Sequence, residues 1–248
     1  MAQIDLLGDV GEIIDLDAVA GSWPQRRADI SVGRLLSMMD RHGVGRACTV
    51  SARGILYDDA EGNAETLAWC RDNPRLIPVG TIDLRKFAGY RAEIARLNAA
   101  GVRLWRLFPE HQGWTFELAT FRRVLSALED AGAVLFVSGQ PSAVARAVAG
   151  ARLPVILGVH FYQMADLLAT LEEGAGLCIS TRLLHGPGVL GRLVQAMGHE
   201  RIVFGSGAPL ASLGSALGCI AAARLPAEQR AAILGGNLRR LLGVGDDR

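Results

Sequence analysis

The feature of this sequence that most constrains its fold is a regular alternation of short apolar segments with amphipathic ones. Eight short segments have the pattern of strands covered on both faces of a parallel sheet: 3–7, 46–51, 76–82, 102–108, 133–138, 154–159, 176–181 and 201–204. The segments between them, such as 31–43 and 116–132, carry apolar residues at helical spacing. Eightfold β-then-α alternation predicts one (β/α)8 TIM barrel, an α/β domain that covers residues 1–248.

A doubly wound open sheet is the alternative fold. Such a sheet normally carries a glycine-rich phosphate turn of the form GxGxxG after an early strand, and this sequence has no such turn. One long stretch, 9–30, shows no strand or helix pattern and contains Gly11, Gly21, Trp23 and Pro24. We expect this stretch to be a loop that serves as a lid or as a contact between subunits.

The composition argues against several classes of partner. The 248 residues carry a formal net charge of +1, so no field of either sign would attract nucleic acid or an anionic membrane. No apolar run reaches the roughly 18–20 residues that span a bilayer, and the N-terminus lacks the pattern of a signal peptide. The four cysteines have neither metal-binding nor disulfide spacing. We expect a cytoplasmic protein, and a homodimer or higher oligomer is left open.

In a TIM barrel the active site lies at the carboxyl ends of the strands and in the loops that follow them. His160, after the sixth strand, is the first candidate for acid-base chemistry, because the pKa of histidine lies near working pH. Asp9 is the candidate to orient that histidine or to act alone, and His185, after the seventh strand, is the third catalytic candidate. The structural alternatives are a hydrogen-bonded histidine in the barrel mouth for His160 and a solvated acid or helix cap for Asp9.

Charged side chains at the same end of the barrel predict a small anionic substrate. Arg106 ends an apolar strand, and a buried arginine needs an anionic partner. That partner is either a substrate carboxylate or Asp83. The other candidate substrate-binding residues lie in the loops of this rim and are Glu110, Arg182 and Arg53.

Several segments resemble one known family. The most specific are RIVFGSGAP at the eighth strand and AEQRAAILGGNLRRLLG near the end, and DRHGVGRACTVS and GVRLWRLFPEHQGW are further matches. They resemble the amidohydrolase-related TIM barrels (the amidohydrolase 2 branch), which are small metal-dependent hydrolases and decarboxylases. The resemblance implies a His-x-His metal pair at the end of the first strand, further histidines at strands five and six, and an aspartate after the glycine-serine of strand eight.

The sequence departs from this family at most of the implied metal ligands. The positions that the family uses at strands one, four, five and eight fall on Leu7, Asp9, Phe108, Val137 and Gly207. His160 is the one ligand that is retained. A catalytic zinc requires about three protein ligands, so no cofactor is predicted, and zinc or manganese at an atypical site is the alternative.

Taken together, the residues predict a barrel enzyme that acts on a small carboxylate-bearing molecule without a metal, by histidine and aspartate acid-base chemistry. A metal lowers the pKa of bound water by about nine units, roughly 12 kcal/mol, whereas a positioned histidine contributes roughly 3–5 kcal/mol. Hydrolysis of activated bonds, decarboxylation and elimination are therefore favoured over amide hydrolysis. The alternatives are a non-catalytic barrel that binds a small molecule or joins an assembly, and a hydrolase with an atypical metal site.

Overall fold

The computed structural model describes residues 7–8, 10–24, 27–86, 88–174, 176–186 and 188–245. Within them, one sheet of eight parallel strands runs in sequence order. The strands are β1 Ile13–Ala20, β2 Val44–Ser51, β3 Leu76–Gly80, β4 Leu104–Leu107, β5 Val134–Ser138, β6 Val155–Gly158, β7 Cys178–Ser180 and β8 Ile202–Val203. Three backbone hydrogen bonds join β1 to the segment after β8: Leu16 N–H to Phe204 O, Val19 N–H to Ala208 O, and Gly207 N–H to Asp17 O. This closure confirms the predicted (β/α)8 barrel.

Helices connect the strands. They are α1 Val32–Arg41, α2 Ala52–Leu56, α3 Asp59–Asp72, α4 Tyr90–Ala99, α5 Pro109–Gln112, α6 Ala119–Asp130, α7 Pro141–Ala147, α8 Met164–Glu172, α9 Val189–Met197, α10 Leu213–Ala222, α11 Ala227–Ala231 and α12 Asn237–Leu242. Ser31 caps α1 by accepting the backbone N–H of Arg34 at 3.2 Å. A π-helical turn, Ala232–Gly236, joins α11 to α12. None of the helices in the described residues has the length and apolar content to cross a membrane.

The first strand does not lie where the sequence predicts it. Residues 3–6 lie outside the described part of the chain, and Leu7 lies in a turn. The strand that pairs with β2 is Ile13–Ala20, inside the stretch predicted to be a loop. All eight residues of β1 are buried, including Asp15 and Asp17. The prediction was wrong because these two carboxylates interrupt the apolar run, and acidic residues are seldom buried. The other seven strands overlap their predicted segments.

The apolar core has two layers. Cys48, Phe136 and Ile156 belong to the inner layer, which fills the barrel, and are fully buried. Trp105 and Phe121 are fully buried in the outer layer, between the sheet and the helices. Burial of each large apolar side chain contributes about 1.5–3 kcal/mol. The inner layer supports the polar side chains that meet above it, at the carboxyl ends of the strands.

Candidate active site at the barrel mouth

A β-bulge in the first strand turns Asp17 into the barrel. Asp15 lies opposite Ala47 and Ala18 lies opposite Thr49, so β1 uses one residue more than β2 over this step. The Asp15 carboxylate accepts the backbone N–H of Asp17 at 3.1 Å, which stabilises the bulge. Bulges near active sites commonly re-aim a side chain, and the side chain re-aimed here meets two arginines.

Asp17 lies between Arg106 and Arg182. Arg106 Nη1 donates a hydrogen bond to Asp17 Oδ1, and Arg182 Nη1 lies 2.9 Å from Asp17 Oδ2. The second contact is an ion pair without hydrogen-bond alignment, so Oδ2 keeps an unused acceptor position. The Arg106 guanidinium also lies 4.5 Å and 4.8 Å from the ring centroids of Phe108 and Phe136. The Arg182 side chain is the more accessible, at 22% exposed against 5% for Arg106.

Burial affects the protonation of this centre. It lowers the pKa of Arg106 to about 10, although the charge of Asp17 opposes the shift. Arg106 is therefore still a cation at neutral pH. A buried cation of this kind depends on its partner, because removal of one member of a buried ion pair typically costs about 3–5 kcal/mol.

Asp15 is a second buried carboxylate beside this centre. Ser206 Oγ donates a hydrogen bond to Asp15 Oδ2, and the Ser206 backbone N–H donates to Oδ1 at 2.9 Å. Burial raises the pKa of Asp15 to about 6, although the hydrogen bonds from Ser206 and from the N–H of Asp17 oppose the rise. Asp15 thus holds the bulge on one side and the loop after β8 on the other.

A cavity of about 130 Å³ opens onto the two arginines. Its wall combines cationic, aromatic and apolar side chains: Val19, Trp23, Ile55, Arg106, Phe108, His111, Arg182, Leu210 and Ala211. The His111 ring meets Trp23 and Phe108 edge-on, at centroid distances of 5.3 Å and 5.9 Å. Pockets for drug-sized ligands usually measure about 300–1,000 Å³, so this one suits a smaller molecule. A larger cavity of about 500 Å³, beside α7 and α8, is lined by none of these strand-end residues.

The structure brings together two of the predicted substrate-binding residues, Arg106 and Arg182. Arg106 has a buried anionic partner, as the sequence predicts, but the protein partner is Asp17 and not Asp83. Asp83 instead accepts hydrogen bonds from Arg85 Nε and Nη2 at 2.9 Å and 2.8 Å. Burial raises the pKa of Asp83, but these bonds outweigh that effect and lower it overall. Asp83 pairs with Arg85 and not with Arg106 because Arg85 lies only two residues away in the same turn.

The predicted histidines lie elsewhere on the barrel. His160 follows β6, and its ring stacks on exposed Tyr162 at 5.4 Å. Its backbone N–H donates to Gln163 Oε1 at 2.9 Å at the start of a 3₁₀ turn. His185 is exposed, and its Nδ1 lies 3.8 Å from Cys219 Sγ. Neither ring lines the cavity at the two arginines. Their catalytic roles remain predictions.

Of the remaining predicted site residues, the two that the structure describes do not line the cavity. Asp9 lies outside the described residues. Glu110 is exposed on α5. Arg53 is half exposed and pairs with Glu61 and Glu65 at 2.6 Å and 2.8 Å. Roles for these three in substrate binding likewise remain predictions.

Sequence reasoning did not find Asp15 and Asp17, and it assigned no role to His111. The available signal was IIDLDAVA, in which two acids two residues apart stand within an otherwise apolar segment of strand length. Acids in such a setting need buried partners. The bulge that gives these acids separate partners leaves no trace in the sequence.

The fold and this site make the protein a TIM barrel whose polar site lies at the carboxyl ends of its strands. The amidohydrolase family model matches residues 18–244, and the chain therefore belongs to the amidohydrolase family. Membership places it in a superfamily of enzymes of the hydrolase type. No curated protein matches the chain.

Solved structures of amidohydrolase-type barrels share its fold. The 5-carboxyvanillate decarboxylase of Sphingomonas paucimobilis aligns with a TM-score of 0.76 at 17% identity, over 94% of this chain and 99% of that one. A proposed 2-pyrone-4,6-dicarboxylic acid hydrolase of Pseudomonas putida aligns with a TM-score of 0.74 at 22% identity, over 94% and 97%. A dihydroxybenzoic acid decarboxylase of Polaromonas, solved with manganese and 2-nitroresorcinol, aligns with a TM-score of 0.76 at 13% identity, over 94% and 97%.

The residues at this mouth do not fit a manganese or zinc ion. The two inward-facing residues that end β1 are Asp17 and Val19, which corrects the assignment of the metal pair to Leu7 and Asp9. Only the first offers a ligand atom, and no group of three or more His, Cys, Asp or Glu side chains converges among the described residues. A cation on Asp17 would have to compete with two guanidinium groups for that single carboxylate. The second buried acid, Asp15, is already hydrogen-bonded to Ser206.

Proposed function

We propose that the protein is a metal-independent enzyme of the amidohydrolase family that acts on a small carboxylate-bearing molecule, with a flat aromatic or unsaturated body. The observation that carries the proposal is the presence of Arg106 and Arg182 in the wall of one small cavity, next to Trp23, Phe108 and His111. Guanidinium groups recognise carboxylates through paired hydrogen bonds, and the aromatic wall suits a flat ligand.

The charge of the centre supports an anionic ligand. Arg106 and Arg182 share the single charge of Asp17, which leaves one positive charge at the cavity wall. Above its pKa of about 6, Asp15 adds a negative charge nearby. We therefore expect the ligand to bind more tightly below pH 6 than at pH 8.

His111 is the proton-transfer group that this geometry favours, because among the described residues it is the histidine of the cavity wall. The arginines favour hydrolysis of an activated ester or lactone, since they would stabilise the oxyanion that develops in the transition state. In a decarboxylation the same arginines would stabilise the reacting carboxylate of the bound substrate, before the transition state. Stabilisation of the ground state does not accelerate the loss of carbon dioxide. Decarboxylation therefore requires that the arginines hold a second, non-reacting carboxylate, whereas in an elimination the single bound carboxylate is itself retained.

Binding and turnover of chelator-treated protein test this proposal. The panel is benzoate, 2,6-dihydroxybenzoate and 2-pyrone-4,6-dicarboxylate, with benzamide as the neutral counterpart of benzoate. We expect calorimetry to show binding of carboxylates and not of benzamide. R182Q should weaken this binding roughly tenfold or more, and R192Q, at an exposed position of α9, should leave it unchanged. Turnover, followed by pyrone absorbance or carbon dioxide release, should survive the removal of metal. Activity that disappears on chelation and returns with Mn²⁺ contradicts the proposal.

A non-catalytic binding barrel is the second candidate. It is favoured by the small size of the cavity and by Asp17, which already occupies one side of both guanidinium groups. Saturable binding of a carboxylate without turnover across the panel would support it.

We also propose that the chain is a single domain over residues 1–248 and that it forms a homo-oligomer. A cytoplasmic location is proposed because the four cysteines are free thiols.

A further inference from the structure

The loop after the last strand places Gly207 against Arg182. A Cβ atom at position 207 would lie 2.8 Å from Arg182 Nε and 3.5 Å from its Cζ, and the first distance is shorter than real Cβ contacts allow. Gly207 also has a φ of 73°, which favours glycine. Two independent constraints therefore act on this position: its backbone conformation and the arginine beside it.

Neither Gly207 nor Arg182 can move away from the other without losing a contact with Asp17. The backbone N–H of Gly207 donates to the carbonyl oxygen of Asp17 at 2.9 Å, which fixes the loop to the first strand. Arg182 Nη1 lies 2.9 Å from the Asp17 carboxylate. A flexible arginine could swing away from a new Cβ, but only by leaving that ion pair. A side chain at 207 and the Arg182–Asp17 pair therefore compete for the same space.

We infer that Arg182 and Gly207 act as one specificity-determining unit, in which the guanidinium occupies the volume that a metal-binding side chain at position 207 would need. The mouth then holds either an arginine cation on Asp17 or a metal ion, and not both. In this chain Arg182 is the cation that pairs with Asp17. The inference rests on the proposed metal independence, but it concerns the cause of that property and is tested without turnover.

A double-mutant cycle tests the steric part. The variants are G207A, R182A and R182A/G207A, and the readout is the urea midpoint of unfolding. The backbone strain of alanine at φ 73° is the same in both backgrounds, so it cancels in the cycle. We expect G207A to lower the midpoint clearly less when Arg182 is absent. If G207A does not fold but R182A/G207A does, this result also supports the inference.

The opposite results overturn the inference. Equal midpoint shifts in the two backgrounds would show that Arg182 does not restrict position 207. If R182A folds but neither G207A variant does, backbone strain alone decides the position, and the inference also fails.

Binding of Mn²⁺ by calorimetry tests the metal part. V19H/R182A/G207D places a histidine and two carboxylates around the vacated volume, and V19H/G207D is the matched control that keeps the arginine. We expect Mn²⁺ binding by the first variant and a loss of roughly tenfold or more in affinity in the second. Equal affinity in both variants, or binding by neither, overturns the claim that the arginine excludes the ion. Neither outcome changes the test of turnover by the native chain, so failure of this inference and failure of the proposed function are distinguishable.

Discussion

Ser206 donates two hydrogen bonds to the carboxylate of Asp15, across 191 positions of sequence. The contact lies where the first strand meets the loop after the last one. It therefore couples the closure of the barrel to the bulge that orients Asp17.

Loss of the Ser206 hydroxyl should destabilise the protein. S206A removes the donor to buried Asp15 Oδ2, and an unsatisfied buried acceptor costs about 1–3 kcal/mol of the free energy of unfolding. Urea unfolding at pH 7 measures the change. S215A, at an exposed position of α10, is the control and should change stability by less than about 0.5 kcal/mol. Equal effects of the two variants would show that the contact adds nothing.

The stability of the protein should depend on pH through Asp15. Folding raises its pKa from 3.8 to about 6, so the folded state binds the proton more tightly than the unfolded state. This stabilising contribution is complete below about pH 4, falls between pH 4 and pH 6, and is absent above pH 6; at 1.36 kcal/mol per unit it amounts to about 3 kcal/mol. D15N should remove this slope. Parallel stability curves for D15N and the native chain would refute the assignment.

Arg106 should be essential for stability, because its removal leaves Asp17 buried with one partner fewer. R106M should lower the free energy of unfolding by about 3–5 kcal/mol. D17N/R106M should recover part of this loss, because the amide carries no charge. R53M, which breaks only exposed pairs with Glu61 and Glu65, should cost about 1 kcal/mol or less. A small effect of R106M would mean that Arg182 alone neutralises Asp17.

The two candidate histidines can be separated by their effect on turnover. H111Q should reduce kcat for an active carboxylate by about 10²–10⁴-fold with little change in KM, as expected for loss of an acid-base group. H160Q should leave kcat within a few-fold, because its ring stacks on Tyr162 outside the cavity wall. Unchanged secondary structure by circular dichroism is required of both variants. The reverse pattern would restore His160 as the catalytic residue.

Much of the fold could be predicted from the sequence, because seven strands are continuous apolar runs between amphipathic helices. The buried state of Arg106 and its need for an anion could also be predicted, since its strand is apolar on both sides. The identity of that anion could not. Asp83 and Asp17 are both acids near strand ends, and only the three-dimensional arrangement gives one to Arg85 and the other to Arg106.

The first strand shows why the rest of the site was missed. Buried Asp15 and Asp17 make IIDLDAVA less apolar than a typical inner strand. The acids of the site therefore prevented the sequence from predicting the strand in which they lie. A bulge depends on the register with β2, which is a property of two segments together. The same holds for the contact between Gly207 and Arg182.

The seam that closes the barrel also sets the order in which its ionic centre can form. Asp17 lies in the first strand, whereas Arg182 and Ser206 follow the seventh and eighth. During synthesis on the ribosome, the first strand would emerge with two acidic side chains still hydrated and without their eventual partners. The ionic centre is therefore completed only after the eighth strand and the loop that follows it have been made, and its assembly is a late event in the maturation of the barrel.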